Sequence, residues 1–270
     1  MLLKIAFLGA GRMASAILDG LLNTSAASPT DIAVLGGPGP TATALATRTG
    51  ALLATDLPDL LREADLVVIA FKPQHLAAAD PRLAELTRGK LVLSVLAAKT
   101  LARLARTFPH ARNLVRTMPN TPAMVGRGIT AICGNTHATP DDLILARALM
   151  AAVGEVVDLA GEHQIDAVTA VSGSGPAYVF HLIEAMAAAG EAQGLPPDIA
   201  MQLARATVCG AGELAHRSPD TAAQLRVNVT SPGGTTAAAL AVLMDPDTGL
   251  TPLLQRAVKA AADRGRDLGK

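Results

Sequence analysis

Short apolar runs recur along the first part of the chain, at 3–8, 31–35, 65–70, 90–95, 112–117, 128–133 and 153–158. Each has the length of a strand, and uninterrupted apolar runs belong to strands covered on both faces. Between several of them the period becomes helical, over 11–22, 40–48, 57–63, 99–107 and 140–152. In the first of these, Met13, Ile17, Leu18, Leu21 and Leu22 fall on one face. Strand alternating with helix predicts a parallel sheet with helices on both sides and a ligand crevice at the carboxyl ends of its strands. After Gly161 the pattern changes. From 163 to 268 only long apolar helices are expected, separated by breaks at Gly194-Leu195-Pro196-Pro197, Ser218-Pro219 and Asp245-Pro246. The sequence thus divides into an α/β part, 1–160, and an all-helical part, 161–270. Helical stretches 177–189 and 199–215 are apolar round much of their circumference, so each needs burial on most sides. The helical part cannot supply that burial alone, which predicts a tight homo-oligomer.

Two glycine-rich turns give this frame a chemistry. Gly9-Ala10-Gly11-Arg12-Met13-Ala14 stands between the first strand and the first helix. In that context GxGxxA means a dinucleotide fold: a tight turn, close approach of a pyrophosphate, and a helix packed on a strand. The N-terminal part is therefore read as a Rossmann-type doubly wound sheet. Far along the chain, Asn228-Val229-Thr230-Ser231-Pro232-Gly233-Gly234-Thr235-Thr236 runs into an apolar helix. Ser231 and Pro232 are expected to cap and open that helix. Gly233 and Gly234 leave the turn bare, and Thr235 and Thr236 add hydroxyls able to donate to an anion or a ligand nitrogen. Free N–H groups at the positive end of a helix suit a carboxylate or phosphate. Taken alone, the segment reads equally well as an ordinary capped helix.

Composition narrows the field. Half of the 270 residues are hydrophobic, and 23 basic residues balance 23 acidic ones. Zero net charge argues against a broad nucleic-acid or anionic-membrane surface. No apolar run reaches the length of a membrane span, and the N-terminus enters the first strand at once, leaving no room for a signal peptide. Cys133 and Cys209 are too few and too separated for a disulfide framework or a zinc site. Both are expected as buried small residues of a cytoplasmic protein, and no metal-ligand spacing is present.

The second strand runs out into Val34-Leu35-Gly36-Gly37-Pro38-Gly39-Pro40, without the acid that would bind adenosine ribose hydroxyls and favour NAD. That leans towards NADPH, with NADH still open because the loop also lacks Arg and Lys. Arg12 and Arg48 are candidate phosphate partners or plain surface arginines. Lys72, in Ala70-Phe71-Lys72-Pro73-Gln74, lies at the carboxyl edge of the sheet, where it can meet cofactor phosphate or ribose or simply be solvated. Asn120, in the two-proline loop 116–123, can order that loop or bind a nicotinamide amide. Ser172-Gly173-Ser174-Gly175-Pro176-Ala177-Tyr178 reads as close backbone packing, since no Lys follows to make it a phosphate loop.

Absences matter as much. Tyr178 has Leu182 four positions on, not the lysine of a Tyr-x-x-x-Lys acid, and no lysine occurs between Lys99 and Lys259. His163, His181 and His216 stand in no glycine-rich or polar motif. A nicotinamide enzyme with an anion cradle and no strong acid or base suits a substrate already electrophilic, such as a protonated imine. A ketone gains alkoxide charge and needs a proton donor, whereas an iminium ion becomes a neutral amine and needs mainly positioning.

These segments resemble the pyrroline-5-carboxylate reductase family. The match comprises 7–14 (FLGAGRMA), 70–74 (AFKPQ), 116–123 (RTMPNTPA), 172–178 (SGSGPAY) and 225–245 (LRVNVTSPGGTTAAALAVLMD), in the family's order. The resemblance implies a Rossmann domain followed by a helical domain that interlocks with a partner subunit, in dimers that often assemble into decamers. It also implies the reaction: L-1-pyrroline-5-carboxylate plus NAD(P)H gives L-proline, the last step of proline biosynthesis. Carried over by position, Leu8, Gly9, Ala10, Gly11, Arg12 and Met13 would hold the pyrophosphate. Lys72 and the backbone near Ala97 would line the ribose and nicotinamide, with Ala70 and Asn120 in the same site. Ser231, Gly233 and Gly234 would bind the substrate carboxylate, with Thr235 beside them, and Thr236 would aim its hydroxyl at the imine nitrogen as the catalytic residue.

The chain departs from the family at four places. Gly36-Gly37-Pro38 stands where an Arg is common, Arg12 where Asn or Gln is frequent, Leu57 where Asn is usual, and Lys99 where Gly is usual. All bear on cofactor preference and none on the substrate cradle. The competing readings are a reductase of another cyclic imino acid and a catalytically inactive dinucleotide-binding regulator.

Overall fold

The computed structural model describes residues 3–269. Its sheet begins with strand Ile5–Leu8 (β1), helix Arg12–Asn23 (α1), strand Ile32–Leu35 (β2), helix Thr41–Thr49 (α2) and the short strand Leu52–Leu53 (β3). Helix Leu57–Leu61 (α3), strand Leu66–Ile69 (β4), helix Leu83–Leu86 (α4), strand Leu91–Ser94 (β5) and helix Leu101–Thr107 (α5) follow. Strands Asn113–Met118 (β6) and Gly128–Gly134 (β7), helix Pro140–Ala151 (α6) and strand Gly154–Asp158 (β8) complete it. The strands lie in the order β3-β2-β1-β4-β5-β6-β7-β8. Every apolar run singled out in the sequence is a strand. β3 has no counterpart among them, because its two leucines pair only at the sheet edge and both are exposed.

Alternate strand residues face opposite sides, as the pleat demands. Ile5, Phe7, Leu66 and Val68 enter one core with Ile17, Leu18 and Leu21 of α1 and Leu149 and Met150 of α6. Ala6, Val67 and Ile69 enter the other, with Leu60, Leu61, Leu104 and Phe108. The expectation of a wholly parallel sheet is corrected: β7 runs antiparallel to β6, with Arg116 opposite Cys133, while β8 is parallel to β7. Only residues 119–127 join β6 to β7. A parallel crossover needs a dozen or more, so the chain turns back. Strand order reverses between β1 and β4, the point at which an open α/β sheet leaves a crevice at its carboxyl edge.

After β8 come helix Ile165–Val168 (α7), a π turn over Thr169–Gly173, and helices Gly175–Ala192 (α8), Pro197–Arg217 (α9), Ala222–Asn228 (α10), Thr235–Leu243 (α11) and Leu250–Gly269 (α12). The fold divides into two compact units: one runs to Gly173 and resumes at Ala262, and the other is Ser174–Ala261. The boundary falls later than the 160/161 division read from the periodicity, because Ile165 of α7 is buried with Met118 and Cys133 of the sheet and so belongs to the first unit. In the second unit α8 and α9 pack through Ala187, Ala200 and Ala204. No residue of α10, α11 or α12 is buried, and Val242 of α11 is 72% exposed. A helix apolar on nearly all sides with most of its residues exposed is not a finished surface in water.

Candidate active site

The first glycine turn leaves β1 at the switch point. Gly9 N–H donates to Leu35 O (2.7 Å) and Ala70 N–H to Leu8 O (2.9 Å), tying the turn to strands on either side. Gly9 has φ +118°, and a Cβ there would run into the Ala70 carbonyl and the Phe71 nitrogen. Only glycine accepts both the conformation and the proximity. Gly11 caps α1 with extended backbone, and the first turn of that helix holds no acid. Around Gly11 nothing stands within 4 Å of where a Cβ would be. Unsatisfied N–H groups at the positive end of a helix therefore face open space. The arrangement has the room and the N–H donors that a pyrophosphate requires.

Two cavities flank this turn. One, of about 210 Å³, is lined by Gly9, Gly36, Gly37, Leu57, Phe71 and Asp80 among others. The second, of about 510 Å³, brings together Arg12, Ser15, Thr41, Arg48 and Met124. The two arginines are not equivalent. Arg48 is clamped on the Asp19 carboxylate by two hydrogen bonds (2.6 and 3.0 Å). Arg12 is exposed at the start of α1. Half-buried Ala70 ends the strand run, and exposed Lys72 precedes a 3₁₀ turn over Pro73–Ala78.

Asn120 is committed to its loop: Oδ1 accepts from Ile129 N–H (3.0 Å) and Nδ2 donates to Ser172 O (3.1 Å). Of the two roles open to it from sequence, the structure fills the ordering one. Ser172 and Gly173 lie in the π turn, where a Cβ on Gly173 would meet Met118 Cε at 2.8 Å, so close packing is their task. Ala97 is exposed in the loop after β5, and the positive φ of that loop falls on Ala98 (+56°) rather than Lys99.

Sequence reasoning missed the ion pair beneath this loop. Arg116, 3% exposed in β6, donates from Nη1 to Glu162 Oε1 at 2.7 Å. Arg116, in the interior of a strand run, was the available signal, since a buried guanidinium calls for a carboxylate. Burial pushes the neighbouring Cys133 thiol up to about 11, with Glu162 adding to the rise and Arg116 opposing it. Such a thiol stays protonated near neutral pH and is no nucleophile. Cys209 corrects an expectation: it is exposed on α9, which buries only Ala200 and Ala204.

In the second unit, Gly234 N–H closes a turn on Ser231 O (3.0 Å). Pro232 in its second place and Gly233 at φ +68° in its third are the marks of a type II turn. Ser231 and Pro232 therefore do not cap and open the helix, as the sequence suggested. Gly233 leaves the right-handed region, so Gly234 becomes the cap and α11 starts at Thr235. No side chain occupies that cap and the first turn holds no acid, which leaves its leading N–H groups without helical partners. Ser231, Gly233 and Thr235 are exposed, and Thr236 is half-buried. Thr230 Oγ1 donates to Arg226 O (2.6 Å) and steadies the approach to the turn.

A pyrroline-5-carboxylate reductase of Synechocystis is 41% identical over 271 residues, covering all of both chains. The chain belongs to the pyrroline-5-carboxylate reductase family. The pyrroline-5-carboxylate reductase of Pisum sativum is 38% identical across 98% of this chain and 95% of its own. Residues 162–268 match the family model for pyrroline-5-carboxylate reductase dimerisation, and residues 4–98 one described as NADP oxidoreductase, coenzyme F420-dependent. The solved pyrroline-5-carboxylate reductase of Coxiella burnetii superposes with a TM-score of 0.93 at 34% identity over the whole of both chains. That of Plasmodium falciparum, with NADP bound, gives 0.82 at 27% identity over 99% of this chain and 98% of that one.

Membership of the pyrroline-5-carboxylate reductase family makes this chain a nicotinamide-dinucleotide oxidoreductase, and its dimerisation region makes it a homo-oligomer. Among the described residues no helix is long and apolar enough to cross a membrane. No group of His, Cys, Asp and Glu among them could hold a metal ion.

Proposed function

We infer that this chain reduces the C=N bond of L-1-pyrroline-5-carboxylate to give L-proline, with NADPH preferred to NADH. The observation that carries the reading is the bare start of α11 behind its Pro-Gly turn, in a chain alike over its whole length to reductases of this name. Peptide N–H groups at a helix N-terminus hold a carboxylate without a charged side chain. Ser231, Gly233, Gly234 and Thr235 supply that cradle, and Thr236 offers its hydroxyl to the imine nitrogen, fixing the ring.

Leu8, Gly9, Ala10, Gly11, Arg12 and Met13 hold the cofactor pyrophosphate. Ala70, Lys72 and Ala97 line its ribose and nicotinamide, and Asn120 shapes the same wall through the loop it orders. The bound nicotinamide supplies a hydride, and an iminium carbon that accepts it leaves a neutral amine without a proton donor in that step. Positioning is what remains for the protein to provide. Arg12 supports NADPH: it lies free of Asp19, which holds Arg48, and the loop after β2 has no acid to repel a phosphate. The assembly that covers α10, α11 and α12 is a homodimer, the unit from which a decamer would be built.

Thr236→Ala tests the assignment, because alanine keeps the first turn of α11 helical. Turnover should fall about tenfold to a hundredfold while the Kd for NADPH stays within about twofold. Unchanged turnover removes Thr236 from the mechanism.

A further inference from the structure

We propose that Glu162 is a positioning residue for the nicotinamide end of the cofactor site, acting with Arg116 to hold the loop 95–100 in shape. The proposal rests on the reading above that this loop lines the nicotinamide. Its first end is fixed by the sheet. Val95 N–H donates to Ile69 O (3.1 Å), Leu96 N–H to Ser94 Oγ (3.2 Å), and Thr117 Oγ1 to Ser94 O (3.1 Å). Its far end is fixed by Glu162, from 61 residues further along: Oε1 accepts Leu101 N–H at 2.6 Å.

The same oxygen takes Arg116 Nη1 at 2.7 Å, and the Arg116 side chain is only 4% exposed. Arg116 lies in β6, paired with Ser94 on one side and Cys133 on the other. A continuous line of contacts thus runs from the rigid sheet through Arg116 and Glu162 to the first N–H of α5. Between the two fixed ends sits Ala98 at φ +56°, a conformation disfavoured for any residue with a Cβ and kept only where its surroundings impose it. The N–H groups of Ala97 and Ala98 donate to no backbone acceptor among the described residues, so they are free to meet a ligand.

A role confined to stability would weaken every part of the cofactor site alike. A positioning role separates the nicotinamide from the rest. The full-length protein and its Glu162→Ala and Glu162→Gln variants would be titrated calorimetrically with NADPH and with 2′-phospho-ADP-ribose, which lacks the nicotinamide. Melting temperatures and kcat and KM for pyrroline-5-carboxylate would be measured alongside.

Glu162→Ala should weaken NADPH about tenfold, leave 2′-phospho-ADP-ribose within about twofold, and lower kcat more than it raises KM. Glu162→Gln keeps an oxygen for Leu101 N–H and should recover much of both losses. Equal weakening of the two ligands, or weakening of neither, overturns the proposal. If Glu162→Ala does not fold, Glu162→Asp, one methylene too short to reach both Leu101 N–H and Arg116, is titrated in its place and should weaken NADPH selectively; equal weakening of the two ligands, or of neither, overturns the proposal. The two readings fail separately: no turnover of pyrroline-5-carboxylate by the unaltered protein refutes the substrate, while the ratio of ligand affinities still judges Glu162.

Discussion

Gly9 joins two demands in one residue, a left-handed φ and a backbone so close to Ala70 and Phe71 that no Cβ fits. Gly9→Ala would meet both at once, at a cost of at least about 2 kcal/mol. The expected result is a lower melting temperature together with an NADPH affinity reduced at least about tenfold. A variant that binds NADPH as before would separate the turn from the cofactor. Glycine chemistry is local, which is why both glycine turns were visible in the sequence. Asn120 and Glu162 were harder, because what each side chain does is decided by partners 52 and 61 residues away. No spacing rule reaches that far.

Strands and helices were legible wherever one period ran for several residues, so the long strands and the helices α1, α2, α3, α5 and α6 emerged with nearly their observed limits, whereas the four-residue α4 is too short to show a period. The failures have physical causes. A connection of nine residues, 119–127, reversed β7, and the Pro-Gly turn moved the start of α11 to Thr235. Helix α6 shows how a good local signal is strengthened by tertiary contacts. Asp142 Oδ2 accepts from Thr139 N–H (3.0 Å), Thr139 Oγ1 (2.8 Å) and Asn113 Nδ2 (2.6 Å), and Oδ1 accepts from Arg112 Nη2 (2.6 Å). Burial alone would raise this carboxyl, but the bonds from Thr139, Arg112 and Asn113 outweigh it and hold it below the ordinary value of 3.8.

The unfolded chain therefore binds a proton there more readily than the folded one. The stabilisation is present above about pH 4 and is lost as pH falls through the lowered folded value. Asp142→Asn should reduce unfolding free energy by about 2 kcal/mol at neutral pH. Its deficit relative to the unaltered protein should shrink in acid, as read from urea unfolding at several pH values. A deficit that does not change with pH would contradict the charge-based account.

For the whole molecule, the helical unit is incomplete as one copy. Val227, Val242, Leu243 and Leu253 are each at least half exposed on α10, α11 and α12, and small folded proteins rarely leave so much apolar surface to water. Val242→Asp should shift sedimentation from dimer to monomer and remove turnover with it; dimers of unchanged stability would take Val242 out of the interface. Homo-oligomerisation was readable from helices apolar on every side, whereas the arrangement of subunits was not, since an all-round apolar pattern names no particular face. The central claim is a substrate held by backbone and reduced by a nicotinamide without a strong acid. Absorbance loss of NADPH, and separately of NADH, with racemic pyrroline-5-carboxylate near neutral pH tests it most directly, with proline measured as product. The account predicts rapid oxidation of NADPH, slower oxidation of NADH, and one proline for each cofactor consumed. Binding of both cofactors with oxidation of neither would contradict it, and the six-membered cyclic imino acid would then be the substrate to try.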